Sequence, residues 1–170
     1  MKSNKKILHL SLAAVFAAII FLATMIHIPI GINGGYIHLG DCLIYICAAF
    51  LPTPYAISAA AIGGGLADIA SGAPLWVLPT VLIKAITALF FTSKKQTVLC
   101  LQNYIACIIG AVLCCGGYYI AEVIIYSCGF IVPIASIPFN LIQSVSAAIL
   151  FISLGVLFDK TGLKNRLSNI

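Results

Sequence analysis

The sequence predicts an all-α integral membrane protein: six transmembrane helices in one bundle, with both termini cytoplasmic. The first observation behind this is composition. Of 170 residues, 62% are hydrophobic and 8% charged, and mean hydropathy is +1.17, so there is too little polar surface for a water-soluble globule of this length. The second is where the charge sits. Eight of the nine basic residues fall in three clusters, Lys2/Lys5/Lys6, Lys94/Lys95 and Lys160/Lys164/Arg166. Between them run two apolar stretches interrupted by Asp41, Asp68, Lys84 and Glu122. The runs are continuous, unlike the short alternating segments of a membrane barrel. A spanning helix takes about 20 residues, so residues 1–170 read as a single six-helix membrane domain with no soluble domain.

The first helix is expected over 7–28. It follows three lysines as a signal peptide would, but it exceeds the usual apolar core of about 7–15 residues and lacks a small-x-small cleavage site, so it reads as a retained span. The Gly-rich, uncharged loop 29–40 contains Gly34-Gly35, which permits close backbone approach and a lid that folds back on the protein. The second helix, over 41–51, opens on Asp41 as an N-terminal cap and stops at Pro52-Thr53-Pro54. The third, over 55–71, carries two stripes of small residues, Ala56/Ala60/Gly64 and Ala59/Gly63/Ala67, suited to close helix contact in lipid. The fourth runs over 75–91, with Pro79 in its first turn, where proline is tolerated. The fifth runs over 98–126, long enough to tilt, and the sixth over 137–158. The basic clusters follow zero, four and six spans, always the same face, and the opposite loops 29–40, 71–75 and 127–138 hold no Lys or Arg. That asymmetry marks the cytoplasmic side and removes nucleic acid as a reason for the net charge of +5. Seven cysteines form no CxxC pair. Cys100, Cys107 and Cys114 share one helix face as small packing residues, and no metal or other cofactor is expected.

Ionisable side chains inside a membrane are costly and normally face the protein interior, along a functional path. Counting from helix ends places Asp41, Asp68 and Glu122 near the outer ends of helices two, three and five, with Asn140 and Gln143 in the first turns of helix six and Lys84 near mid-membrane. Facing inward together, they would line an outward-open pocket with Tyr118 and Tyr119, roofed by Tyr36, His38 and Trp76. The inner half offers no matching polar set, which favours capture of a small molecule over free conduction. Each residue also has a purely structural reading. Lys84 and Asp68 can pair across adjacent antiparallel helices, Asp41 can be only a cap, and the aromatics can mark a membrane interface. Asn140 and Gln143, three apart on one face, can tie helix six to a neighbour. The acidic excess over Lys84 points to a neutral or cationic ligand, and the aromatics suit stacking on a heteroaromatic ring.

Four segments together resemble the substrate-binding S components of energy-coupling factor (ECF) transporters, most closely the riboflavin-type branch. They are Gly35-Tyr36-Ile37-His38-Leu39-Gly40-Asp41, Gly63-Gly64-Gly65-Leu66-Ala67-Asp68, Lys84-Ala85 and Ala13-Ala14-x-x-Ala17-Ala18. The resemblance covers essentially the whole chain. It implies uptake of a vitamin or vitamin precursor, and docking of Ala13, Ala14, Ala17 and Ala18 on a transmembrane coupling protein driven by two ATPase subunits. It also implies gating by the loop after helix one and toppling of the loaded carrier in the plasma membrane. Alanine ridges on a lipid-facing helix suit a partner surface on physical grounds as well. No phosphate loop, nucleophile elbow or HExxH is present, so the chain is expected to be no enzyme and to need an external ATPase. A stand-alone carrier and a membrane scaffold are the competing readings.

Overall fold

The computed structural model describes residues 2–29, 36–127 and 129–168, with side chains for 4–28, 37–127 and 129–166. Helices α1 (Lys2–Met25), α2 (Gly40–Phe50), α3 (Thr53–Ala70), α4 (Val77–Phe90), α5 (Leu101–Tyr126) and α6 (Ile137–Thr161) follow the expected order, and a short α7 (Leu163–Ser168) closes the chain. Strands β1 (His27–Pro29) and β2 (Tyr36–His38) pair antiparallel, with His27 opposite His38. Three stretches, Asn4–Met25, Leu101–Tyr126 and Val132–Thr161, are long and apolar enough to cross a membrane, and Gly40–Phe50 and Pro74–Phe90 are shorter apolar helices. Large apolar side chains such as Leu22, Ile62, Ile86, Ile108 and Ile124 face outward. An apolar exterior of this kind fits lipid rather than water.

The shortest full helix is the most enclosed. α2 touches α1, α3, α4 and α6, and nine of its eleven residues are buried, as an all-round apolar helix requires. Its Tyr45 stacks on Phe91 at 4.8 Å, and Phe151 of α6 meets both rings edge-on at 6.0 and 5.6 Å. The two small-residue stripes of α3 face different neighbours. A Cβ on Gly63 would press on the Ala17 carbonyl and Ile20 of α1, whereas one on Gly64 would meet Thr80 and Lys84 of α4. Small side chains here let three helix backbones approach closely.

Element ends depart from expectation for local reasons. α1 stops at Met25 rather than 28, because 27–29 pair with 36–38 as a hairpin. Residues 30–35 of the expected lid, and the Tyr36 side chain, lie outside the described residues. A 3-10 turn, Pro74–Trp76, takes the start expected for α4. α5 begins at Leu101 rather than 98, because the Asp159 carboxylate of α6 accepts the Val98 and Leu99 N–H groups at 2.6 and 3.0 Å. Fully buried Asn103 clasps the same connection, accepting from Thr92 N–H at 2.8 Å and donating to the carbonyls of Thr92 (3.2 Å) and Val98 (2.8 Å). Lys164 donates to the Thr97 carbonyl at 3.3 Å, and Phe50 meets Phe158 edge-on at 5.4 Å. The 91–100 connection, the end of α2 and the end of α6 therefore gather at one end of the bundle, and the β hairpin lies at the other.

Candidate functional site

At the hairpin end, β2, α2, α4 and α6 converge on a buried polar cluster. Lys84, in the third turn of α4, places Nζ 2.6 Å from Asp41 Oδ1, and both side chains are 3% exposed. The other carboxylate oxygen, Oδ2, accepts from Gln143 Nε2 of α6 at 2.9 Å. Gln143 Oε1 in turn accepts the His38 backbone N–H at 3.2 Å. His38 Nδ1 accepts the Gly40 N–H at 3.0 Å, so its imidazole must be neutral there. Burial agrees, lowering the His38 pKa to about 4 against a partial opposing pull from Asp41. Lys84 thus pairs with Asp41, a residue whose structural reading in the sequence is only that of a helix cap. Asp41 opens α2, the helix wedged between α4 and α6, so its carboxylate reaches Lys84 directly. Asp68 is buried in the last turn of α3, toward the hairpin end and one turn beyond Gly64, which faces Lys84.

An aromatic wall adjoins this cluster. Lys84 Nζ lies 5.3 Å from the centre of the Tyr118 ring on α5, a cation–π arrangement, and Tyr118 OH is 3.1 Å from Thr80 Oγ1, one turn before Lys84. Tyr118, Glu122 and Tyr126 recur every four residues on one face of α5. Buried Trp76 rests against the two aromatic members, at 5.8 and 6.1 Å. Buried Glu122 accepts from Ser136 Oγ at 2.8 Å, fastening α5 to the turn before α6. Tyr119, expected as pocket lining, instead donates to the Phe130 carbonyl at 2.8 Å, tying α5 to the following loop. Asn140 is half-buried, and its carbonyl accepts from Ser144 Oγ at 2.9 Å.

His38, Asp41, Lys84 and Gln143 are thus joined in one network, with Tyr118 and Trp76 beside it. Glu122 accepts from Ser136, and among the described residues the Asn140 contact is the one its carbonyl makes with Ser144. Sequence reading missed Thr80, Ser136 and Cys114, whose sulfur lies 4.0 Å from Gln143 Nε2. The i, i+4 spacing of Thr80 and Lys84 was a usable signal for the first; the Ser136 contact had none.

A second feature lies on the outer surface of α1. Ala13, Ala14, Ala17 and Ala18 line a groove of about 450 Å³, whose opposite wall includes Ala59, Ile62 and Leu66 of α3. Ala14 and Ala18 are exposed, Ala17 is half-buried and Ala13 is 6% exposed. The alanines therefore make one wall of a trough rather than a flat ridge.

The family description ECF-type riboflavin transporter, S component, matches residues 4–160. Among solved structures, one described as "Structure and mechanism of the S component of a bacterial ECF transporter" is similar with a TM-score of 0.67 and 22% identity, over 98% of this chain and 97% of that chain, which shows a shared fold. No curated protein matches the chain. With the family match running over nearly its whole length, and an apolar helical bundle of the same fold, the chain belongs to the ECF-type riboflavin transporter S component family.

Proposed function

We propose that this protein is the substrate-capturing membrane subunit of an ATP-driven importer, taking a vitamin or vitamin precursor from outside. It spans the plasma membrane six times, with both termini cytoplasmic. The lysines at the 91–100 connection and the chain ends lie inside, and the β hairpin faces outward. The observation that carries this reading is the buried cluster of Asp41, Lys84, Gln143 and His38 beneath the hairpin, with Tyr118 and Trp76 beside it. Buried ionisable groups in a spanning bundle are retained where they serve a ligand or a conformational path. Tyr36, Asp68, Glu122 and Asn140 complete the proposed surroundings of the ligand. Inside the cluster the Lys84 charge is matched by Asp41, so the ligand is neutral or cationic and stacks on aromatic side chains. A transmembrane coupling protein seats in the α1/α3 groove, and two ATPase subunits supply the work that this chain has no phosphate loop to perform.

Mass spectrometry of the small molecule that co-purifies in mild detergent, followed by titration calorimetry with that compound, tests the reading. A heteroaromatic vitamin-like compound that binds one to one is expected. Robust accumulation of a solute by this chain alone in sealed vesicles, with no ATPase present, would point instead to a stand-alone carrier.

A further inference from the structure

Gln143 was expected to touch the ligand, but both ends of its amide are engaged within the protein. The side chain is 2% exposed. Oε1 accepts the His38 N–H of β2 at 3.2 Å, and Nε2 donates to Asp41 Oδ2 at 2.9 Å. The amide cannot be turned over without setting an N–H against the His38 donor and a carbonyl oxygen against the Asp41 carboxylate. One side chain on α6 therefore holds the hairpin strand and the carboxylate of the ion pair at once, across sequence separations of 105 and 102 residues.

We infer that Gln143 is a latch: a positioning residue that fastens the β2 strand to the Asp41–Lys84 pair and so couples the state of the ion pair to closure of the hairpin over the site. A ligand group that draws Asp41 or Lys84 aside loosens the Nε2 contact, and with it the orientation that presents Oε1 to His38. Conversely, hairpin opening leaves Oε1 without its donor. Charged and titratable groups facing the amide come from each packed element: Asp41 on α2, Lys84 on α4, His38 on β2 and the Cys114 thiol on α5. With both ends of the amide engaged, the latch is set in this arrangement. The link to ligand release rests on the proposed capture function, but the latch itself does not.

Gln143→Met keeps the length and volume of the side chain and removes the amide. Hydrogen exchange on ligand-free protein in nanodiscs should show the His38 amide losing at least about tenfold in protection, because its acceptor is gone, while core amides of α2 and α5 keep theirs. Dissociation of the co-purified ligand should speed up by at least about tenfold with little change in association rate. Gln143→Glu provides the rescue. At about pH 6 an uncharged carboxyl, favoured beside Asp41, can donate to that carboxylate and accept from His38. Protection of the His38 amide near the wild-type level is then expected. His38 protection within about twofold of wild type in Gln143→Met, or protection in Gln143→Glu at about pH 6 as low as in Gln143→Met, overturns the latch. Lost protection with no detectable ligand binding in any variant, wild type included, would uphold the latch and sink the capture reading instead.

Discussion

Removing one member of the Lys84–Asp41 pair should be far more damaging than removing both. At 2.6 Å, and with an effective dielectric of about 20, the attraction works out at about 6 kcal/mol. Against it stands a desolvation cost of several kcal/mol for each ion, so the pair as a whole contributes little net stability. Breaking it is another matter. Lys84→Met leaves Asp41 charged in a nearly closed interior beside Gln143, and Asp41→Asn takes from the ammonium the carboxylate it contacts, leaving it beside the Tyr118 face. Each single change should cost about 3–5 kcal/mol. The double variant Asp41→Asn with Lys84→Met removes both charges, retains an acceptor for Gln143 Nε2, and should cost only about 1–2 kcal/mol. Unfolding followed by helical circular dichroism in mixed micelles closes the double-mutant cycle. The expected coupling is about 4 kcal/mol or more. A single variant that costs less than about 1 kcal/mol, or a double variant that equals the sum of the singles, would refute the argument that these charges depend on each other. The same double variant reports on function: retained ligand affinity means that Lys84 serves Asp41 alone, and a loss beyond tenfold means that one of the two charges also meets the ligand.

Ala18→Trp and Ala14→Trp fill the α1/α3 groove from exposed positions, so uptake in cells carrying the ATPase partners should fall at least about tenfold while ligand affinity stays within about twofold; affinity falling in step with uptake argues against docking there. Asn103→Leu strips three hydrogen bonds from a fully buried site and should cost about 3 kcal/mol or more, with new protease cleavage in 92–99, since each orphaned buried group costs about 1–3 kcal/mol. The lowered His38 pKa sets a pH dependence. The neutral form is the folded one, so stability is complete above the ordinary value of 6.5 and is lost as pH falls from there toward about 4. At pH 5 the loss should reach about 2 kcal/mol, read as destabilisation relative to His38→Asn, which should lack this component; an identical pH profile in both proteins excludes His38 as the cause.

The membrane class and the order of helices were legible because they depend on long apolar runs and on where lysines fall, signals that span many residues. Cluster membership was partly legible. Rarity flagged Asp41, Lys84 and Gln143, since a polar group inside a spanning helix must be compensated. Pairing was not legible. Helix periodicity gives a face but not the rotation of one helix against another, so in the sequence Asp68 stands as a candidate partner of Lys84 and Asp41, on its structural reading, only as a cap. The decision came from α2, whose all-round burial between α4 and α6 follows from tertiary packing rather than from its own eleven residues. The 91–100 connection escaped for a related reason. Val98 and Leu99 read as helix by hydropathy, but a carboxylate 60 residues away captures their N–H groups, and no local pattern encodes that.

On the proposed reading, the docking surface and the capture site are joined by a short mechanical path that begins on α1. The helix that carries the alanine groove continues within two residues into β1, which pairs with β2. Its Thr24 is 3% exposed and lies so close to Gly40 at the head of α2 that a Cβ there would collide with Thr24 Oγ1. Met25 Sδ accepts from Ser71 Oγ at 3.5 Å, tying the same end of α1 to the turn after α3. A partner that shifts α1 by pressing into the groove therefore moves three things at once: the hairpin strand, the backbone at Gly40, and through these the two hydrogen bonds that His38 makes with Gly40 and Gln143. Tightly packed interiors respond to such displacements by switching between discrete arrangements rather than by bending smoothly, so on the proposed reading docking on α1 is felt at the hairpin through the Thr24–Gly40 contact. Glycine at that position is thus a steric requirement of the joint between α1 and α2, set directly before the carboxylate that pairs with Lys84.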